Sequence, residues 1–322
     1  MADFSFHLPE KIQGLVENKL IEKTSGKQWV YEIRLDGEPE ELPNLSLLLE
    51  KFIPETKIKR ERAENKGKFL FAIENFSEKL GSLGLLDIYK KRIENRLKLL
   101  KKLGYLSHIQ KYTTRCRVIV GLGSGSVLET SITLHRIYGF PYIPGSALKG
   151  LTRNYAIWKL ANDINEKKVD KQVKKIDESL REGKKPDDFP DWPSELQKKF
   201  YMYQSIFGNQ KNRGRVIFFD AFPDKFPRLE VDIMNPHYAD YYRPGSTTPP
   251  ADYLTPSPIP FLTVAEGQVF LCPVAFDVKM AKGLSVEDIV KETENLIKQA
   301  LQNFGIGAKT AVGYGYFDLT RP

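Results

Sequence analysis

Cysteine and histidine are scarce in this chain: two Cys and four His are spread over 322 residues. Cys116 and Cys272 lie 156 positions apart, both in β-like sequence, and read as buried thiols in a reducing compartment rather than a disulfide. No His or Cys spacing matches a metal-ligand pattern, so neither a metal nor a cofactor is expected. Long apolar runs are also missing. Nothing approaches the roughly 20 residues of a membrane helix, so no membrane partner is expected. The start, MADFSFHLPE, lacks a basic segment followed by an apolar one, so it does not read as a signal peptide, and the expected location is cytoplasmic.

Two nucleotide-binding signatures are incomplete. FGIGAKTAVGYGYF, Phe304 to Phe317, holds a Lys and a Thr among four glycines. Ala308 nevertheless stands before Lys309, and Asn303 stands where a phosphate loop needs its first Gly. That stretch also leaves a helix, whereas a phosphate loop enters one. Gly121 and Gly123 follow a strand-like run, but Ser126 replaces the third glycine of a dinucleotide fingerprint and no helix starts there.

What is present is a soluble composition, 41% hydrophobic and 28% charged, with an uneven charge. The net +8 concentrates in residues 111–160, which carry seven Lys or Arg against one acidic residue. Residues 1–110 carry 20 against 17, residues 161–200 carry 10 against 10, and residues 201–322 carry 12 against 13. A surplus confined to 50 residues favours a localised anionic partner.

Two regions are expected. Residues 1–110 read as an accessory region. It has an amphipathic helix at Lys90–Leu106, with Tyr89, Ile93, Leu97 and Leu100 at helical spacing and Gly104 as its stop. The cationic stretch Lys57–Lys68 reads as a mobile loop. Residues 111–322 read as the core. Lys111–Leu122 is a strand and Ser131–Gly139 a short extra strand. Phe140–Leu160 holds a helix that follows a break at Pro144-Gly145 and is capped by Ser146. Behind Ser146, Leu148, Leu151, Tyr155 and Trp158 form an apolar stripe, while Lys149 and Arg153 share another face. A helical insertion at 161–200 precedes the strand Gly214–Phe222, and Pro223–Pro260 reads as a long ordered loop. Phe261–Lys279 reads as a hairpin turning at Glu266-Gly267. Ser285 and Asp288 open a capped helix, and Gly313–Leu319 is the closing strand.

Stripped of its insertions, the core has the element order β-α-β-β-α-β, a ferredoxin-like (RRM-like) α+β fold. Its strand order, 4-1-3-2, carries Gly121–Gly125, the Ser146 helix start, the Pro223–Pro260 loop and the glycine stretch to one end of the sheet. A helix N-terminus offers N–H donors and a positive dipole end. With Lys149, Arg153, Lys309 and Thr310 around it, that end suits a phosphate backbone. The third strand, QVFLCPVAF, lacks the aromatic signature that stacks bases on a sheet. RNA is therefore expected at the loops.

Three blocks resemble a known family. GFPYIPGSALKGLTR, IFGN with RGRVIFFDAFP, and FGIGAKTAVGYGYF are similar, in this order, to the signature blocks of the RAMP superfamily, the repeat-associated proteins of CRISPR systems. VDIMNPHYADYY and PIPFLTVAEGQVF resemble a backbone subunit of the Cmr complex, the type III-B RNA-guided effector. The resemblance implies a noncatalytic subunit on the 3′ side of the guide RNA (crRNA), packed on neighbouring RAMP subunits in antiviral defence. It implies phosphate contacts at Ser146, Lys149, Arg153, Gly305, Gly307 and Lys309.

Some members of that superfamily cleave RNA. One class matures guide RNA without metal through a histidine acid-base, for which His135 is the candidate here. Another cleaves target RNA with an aspartate between first strand and first helix; Gly121–Gly145 contains Glu129 and His135 but no Asp. His135 lies in the alternating segment SITLHRI and Asp220 follows a buried-type strand, so both are read as structural. His237, Tyr238, Tyr241 and Tyr242 suit either base stacking or packing.

Overall fold

The computed structural model describes residues 84–320 except 127, 165–168, 281–282 and scattered positions between 237 and 257. It also describes residues 20–25, 28–33 and scattered positions between 44 and 77. Apart from Gly67, the expected loop Lys57–Lys68 lies outside the described residues. The architecture is α+β, with helices and antiparallel sheets. Its elements are β1 (Leu20–Ser25), β2 (Gln28–Ile33), α1 (Leu85–Lys102), β3 (Tyr105–Thr114), α2 (Gly145–Asp163), α3 (Val169–Glu182), α4 (Ser194–Phe207), β4 (Val216–Phe218), β5 (Phe222–Pro223), β6 (Leu229–Met234), β7 (Ile259–Val264), β8 (Val269–Asp277), α5 (Val286–Asn303) and β9 (Phe317–Leu319). They divide between two compact units.

One unit takes Met1–Leu86, Gly121–Pro141 and Lys225–Ala265. In it β1 pairs with β2 and β6 pairs with β7, each antiparallel. Three expectations are corrected here. Pro223–Pro260 is not all loop, because LEVDIM forms β6: its alternation puts Leu229, Val231 and Ile233 on one side and Glu230 and Asp232 on the other. Phe261–Lys279 is not a hairpin. The turn at Gly267 exists, with φ +78°, but β7 pairs with β6 while β8 pairs with β3 over nine residue pairs. β8 finds in the ten-residue β3 a longer partner than β7 would offer, and β7 is matched residue for residue by β6. Ser131–Gly139 is a turn rather than a strand, closed by the Leu134–Pro141 bridge and by the Gly139 N–H donating to the His135 carbonyl at 2.7 Å.

The other unit takes Asp87–Val120, Tyr142–Asp224 and Glu266–Pro322. Its sheet runs β4-β8-β3-β9, antiparallel throughout, with β5 also on β8. The helix start and end signals shift the expected bounds. Gly104, at φ +88°, ends α1 early, so the strand begins at Tyr105 and its regular pairing stops at Thr114. Residues 115–119 continue alongside the chain end through separate hydrogen bonds. The closing strand is likewise shorter, Phe317–Leu319, after a 3-10 turn at Thr310–Val312. The insertion is helical, formed by α3 and by α4, which runs on to Phe207. Ser285 caps α5 by accepting the Asp288 N–H at 3.0 Å.

Burial explains the layering of this unit. Strand β8 is buried over all but its first residue, so both its faces are covered. On one face His108 Nδ1 meets Glu294 Oε1 of α5 at 2.9 Å. Elsewhere Tyr89 of α1 packs edge-on against Phe222 of β5, ring centroids 5.1 Å apart. α2 and α5 are joined by Tyr155 and Phe304, 5.2 Å between rings. Both cysteines are free thiols; Cys272 is buried, and burial pushes its pKa up to about 12.

Candidate nucleic-acid interface

The start of α2 is pinned from behind. Ile143 and Ala221 exchange backbone hydrogen bonds, both at 2.8 Å. A Cβ on Gly145 would fall 2.4 Å from the Phe218 carbonyl oxygen, so only glycine lets the helix start this close to the end of β4. The cap differs from expectation. Pro144 occupies the N-cap and Ser146 is the second residue of the helix. Proline fits because its fixed φ leads into a helix and its missing N–H is not needed there. The carboxylate of Asp220 accepts the Gly145 N–H at 2.7 Å, so Asp220 supplies the anion that a cap would. Ala147 and Leu148 both donate to the Pro144 carbonyl. The exposed Ser146 is the first-turn residue whose N–H meets no acceptor among the described residues.

Lys149 and Arg153 do share a face of α2, but their surroundings differ. Arg153 is committed: its Nη1 pairs with Asp177 Oδ1 of α3, and its Nη2 donates to the Asp177 carbonyl at 3.3 Å. Lys149 is half-buried and has no carboxylate partner among the described residues. Burial, then the Arg153 charge, pulls its ammonium pKa below the ordinary lysine value. A cation in that position gains by acquiring an anion.

The glycine stretch is bonded to the continuation of β3. Arg115 N–H donates to the Tyr316 carbonyl at 2.9 Å, Gly315 N–H to the Arg117 carbonyl at 2.9 Å, and Ala308 N–H to the Ile119 carbonyl at 2.8 Å. The stretch also closes on itself, Ile306 N–H donating to the Gly315 carbonyl at 2.8 Å. Close packing dictates two of the glycines. A Cβ at Gly307 would lie 2.2 Å from the Ile119 oxygen, and one at Gly315 would lie 2.1 Å from the Ile306 oxygen. Gly305 is buried with φ +69°, whereas exposed Gly313 needs only its φ of +97°.

Lys309 sits at φ +61° although it is not glycine, in the left-handed region that side chains disfavour. Its Nζ lies 5.8 Å from the centre of the Tyr314 ring. Thr310 opens the 3-10 turn, and its carbonyl accepts the Tyr316 hydroxyl at 3.1 Å. Beside it, Arg115 lies over the Tyr316 ring at 5.4 Å. Two cation–aromatic pairs therefore stand on adjoining backbone segments, with exposed Arg117 two residues beyond Arg115. Sequence reasoning missed Arg115, Arg117, Tyr314 and Tyr316. The signal was present as period two: Arg115/Arg117 on one segment and Tyr314/Tyr316 on the other.

Ser146, Lys149 and Arg153 on α2 and Gly305, Gly307, Lys309 and Thr310 after α5 thus belong to one compact unit, linked by the Tyr155–Phe304 contact. Gly121–Gly125 and residues 225–260 of the proline-rich stretch belong to the other unit. There the His135 ring Nδ1 accepts the N–H groups of Ile137 and Tyr138, at 3.3 and 3.4 Å, and the ring packs on Tyr138 and Phe140. That is the work of a turn-holding residue. Tyr241 and Tyr242 are exposed and stand 5.2 Å apart; His237 is outside the described residues.

Comparison with known proteins agrees with the three sequence blocks. Residues 111–318 match the family model of the RAMP superfamily. The chain is 36% identical, over 89% of its length and 97% of the relative's, to the CRISPR system Cmr subunit Cmr6 of Pyrococcus furiosus. It is 24% identical, over 72% of its length and 64% of the relative's, to the corresponding subunit of Saccharolobus solfataricus. Among solved structures, the crystal structure of Cmr6 from Pyrococcus furiosus is 36% identical, with 68% of this chain and 99% of that one covered and a TM-score of 0.46. A chain of the cryo-EM structure of the type III-B Cmr-beta complex bound to cognate target RNA is 23% identical, with 83% and 77% covered and a TM-score of 0.50. The chain belongs to the RAMP superfamily, and within it to the Cmr6 subunits of CRISPR systems.

Proposed function

We propose that this chain is a noncatalytic, RNA-binding structural subunit of a type III-B CRISPR effector, acting in the cytoplasm. It holds the 3′ side of the guide RNA and packs on neighbouring RAMP subunits. Its core, residues 111–322 with insertions at 161–200 and 223–260, is ferredoxin-like, with residues 1–110 as an accessory region. The strand order β9-β3-β8-β4 supports this reading of the core, since it is 4-1-3-2 when the strands are counted in the ferredoxin sequence. The observation that carries the RNA site is the cationic edge of the glycine stretch, where Lys309 and Arg115 each lie over a tyrosine ring on a backbone bonded to β3's continuation. Cations position a phosphate backbone and aromatic faces take unpaired bases. On α2, Lys149 adds a positive charge that no carboxylate neutralises among the described residues.

The test is RNA binding by the Lys149→Ala/Arg153→Ala/Lys309→Ala protein across a salt series. The expected result is weaker binding and a shallower salt dependence, by about one unit of slope for each phosphate that the variant no longer neutralises. Unchanged affinity at moderate salt rejects the site. Incubation of the wild-type chain with repeat RNA in chelator tests the noncatalytic part; cleavage that disappears in His135→Ala would replace it with an endoribonuclease reading.

A further inference from the structure

Helix α1 leaves Ile88 and Leu99 exposed on its outward side, and Leu103 just past its end. Tyr89, Ile93 and Leu97 point inward and are buried. On the opposite side, Ile88, Arg92, Asn95, Leu99 and Lys102 follow one another at steps of four, three, four and three, which keeps them on one face of the helix. Ile88 is 55% exposed and Leu99 61% exposed, and Leu103, just past the helix end, is also 61% exposed. One exposed Leu is ordinary. Ile88 and Leu99 share that face with Arg92, Asn95 and Lys102, Leu103 follows one turn after Leu99, and all three aliphatic residues stand clear of the buried stripe: together they describe an aliphatic and cationic docking face.

The charge around this face narrows what can cover it. The helix carries seven Lys or Arg against two acidic residues, a net of +5. Of the cations, Lys90 is turned away to Asp224 at 3.3 Å, while Lys91, Arg92, Arg96, Lys98, Lys101 and Lys102 are exposed. A second copy of the same helix would bring +5 against +5, so self-pairing through this face is disfavoured. Single-stranded RNA would welcome the cations, but the exposed apolar groups of the face are aliphatic, without the flat rings on which bases stack. An acidic amphipathic helix satisfies both features, with aliphatic residues on Ile88, Leu99 and Leu103 and carboxylates along the flanks.

We propose that the outward face of α1 is a protein-docking surface for an acidic amphipathic helix of another chain. It shares no residue with the RNA site. The probe is a synthetic helical peptide with Leu at its a and d positions and Glu on the flanks, titrated against the full chain by fluorescence anisotropy. A peptide with Lys in place of Glu is the control. Saturable binding of the acidic peptide alone is expected, weakened by about tenfold or more in Ile88→Ser/Leu99→Ser and in Lys91→Glu/Lys98→Glu. Both variants change exposed positions, so their melting temperatures should match wild type, and RNA binding should be unchanged in the Ser variant. No binding, binding indifferent to the Ser variant, or equal binding of the Lys peptide overturns the proposal. Loss of RNA affinity in the Ser variant would instead assign the face to nucleic acid.

Discussion

The backbone N–H of Gly145 donates to Asp220 Oδ1 at 2.7 Å, so the first turn of α2 meets a carboxylate of its own protein. That carboxylate sits against the positive dipole end on which a phosphate would otherwise rest. Asp220 is therefore expected to serve stability. Asp220→Ala should cost about 1 kcal/mol, the usual worth of an N-terminal helix cap, seen as a lower urea midpoint with an unchanged slope. RNA affinity at moderate salt should stay equal or tighten, because a negative charge has left the helix start. Weaker RNA binding at full stability would reverse this assignment.

Lys149 and Arg153 are four residues apart and should behave differently. Arg153 is held by Asp177 and Lys149 has no acidic partner among the described residues. Lys149→Met removes a half-buried cation but keeps its stem packed. Its melting temperature should equal or exceed wild type while RNA binding weakens. Arg153→Ala leaves Asp177 without its ion pair, so it should lower stability more than it lowers RNA affinity. Urea unfolding and RNA titrations on both variants check the split; identical profiles would contradict it.

Two glycines of the C-terminal stretch invite a paired comparison. Gly307→Ala must fit a Cβ 2.2 Å from the Ile119 oxygen, whereas Gly313→Ala meets nothing within 4 Å. Both positions have φ +97°, so both incur the left-handed strain of about 1–2 kcal/mol. Gly307→Ala should add a displacement of the loop from residues 117–119 and be clearly the less stable of the two. Melting curves rank them, and amide exchange at Ala308, whose N–H is bonded to Ile119, should rise in Gly307→Ala alone.

These contrasts indicate where the sequence was readable. Helix α5 was legible in full, since its Ser285 cap and the Ile289, Leu296 and Ala300 stripe are local signals. The α+β class was legible too, because helical and strand-like stretches carry different periodicities. What escaped was set by pairing across long separations. Nothing in Phe261–Lys279 tells that its two strands enter different sheets. Nothing near Ser146 tells that Asp220, 74 positions later, reaches the helix start. Nor does the glycine stretch itself tell that, at Gly307 and Gly315, the room a missing Cβ leaves is taken by carbonyls of the protein itself.

Asp224 offers a test by pH. Burial opposes its ionisation, but Lys90 and Lys111, at 3.3 and 3.5 Å, outweigh that and hold its carboxyl below the ordinary value of 3.8. A carboxylate with a depressed folded pKa contributes stability that is present above the unfolded value and lost as pH falls through the folded one. Asp224→Asn should therefore destabilise at pH 7 and converge with wild type below pH 3.8. Lys90→Met should flatten the same dependence. Parallel urea curves for wild type and Asp224→Asn from pH 7 into acid would contradict the assignment.

Lys309 allows fold and charge to be separated at one position. Its φ of +61° is one that a lysine adopts at a cost and a glycine adopts freely. At most sites Lys→Gly lowers stability, because glycine loses more freedom on folding. Here the relief of strain offsets that loss, so Lys309→Gly should be as stable as wild type or more stable by up to about 1 kcal/mol. Lys309→Ala keeps the strained backbone and should be no more stable than Lys309→Gly. If Lys309 holds phosphate, both variants should weaken RNA binding equally, and their salt slopes should fall together by about one unit. Binding abolished in the alanine variant but kept in the glycine variant would mean that the loop's shape, and not its charge, grips the RNA.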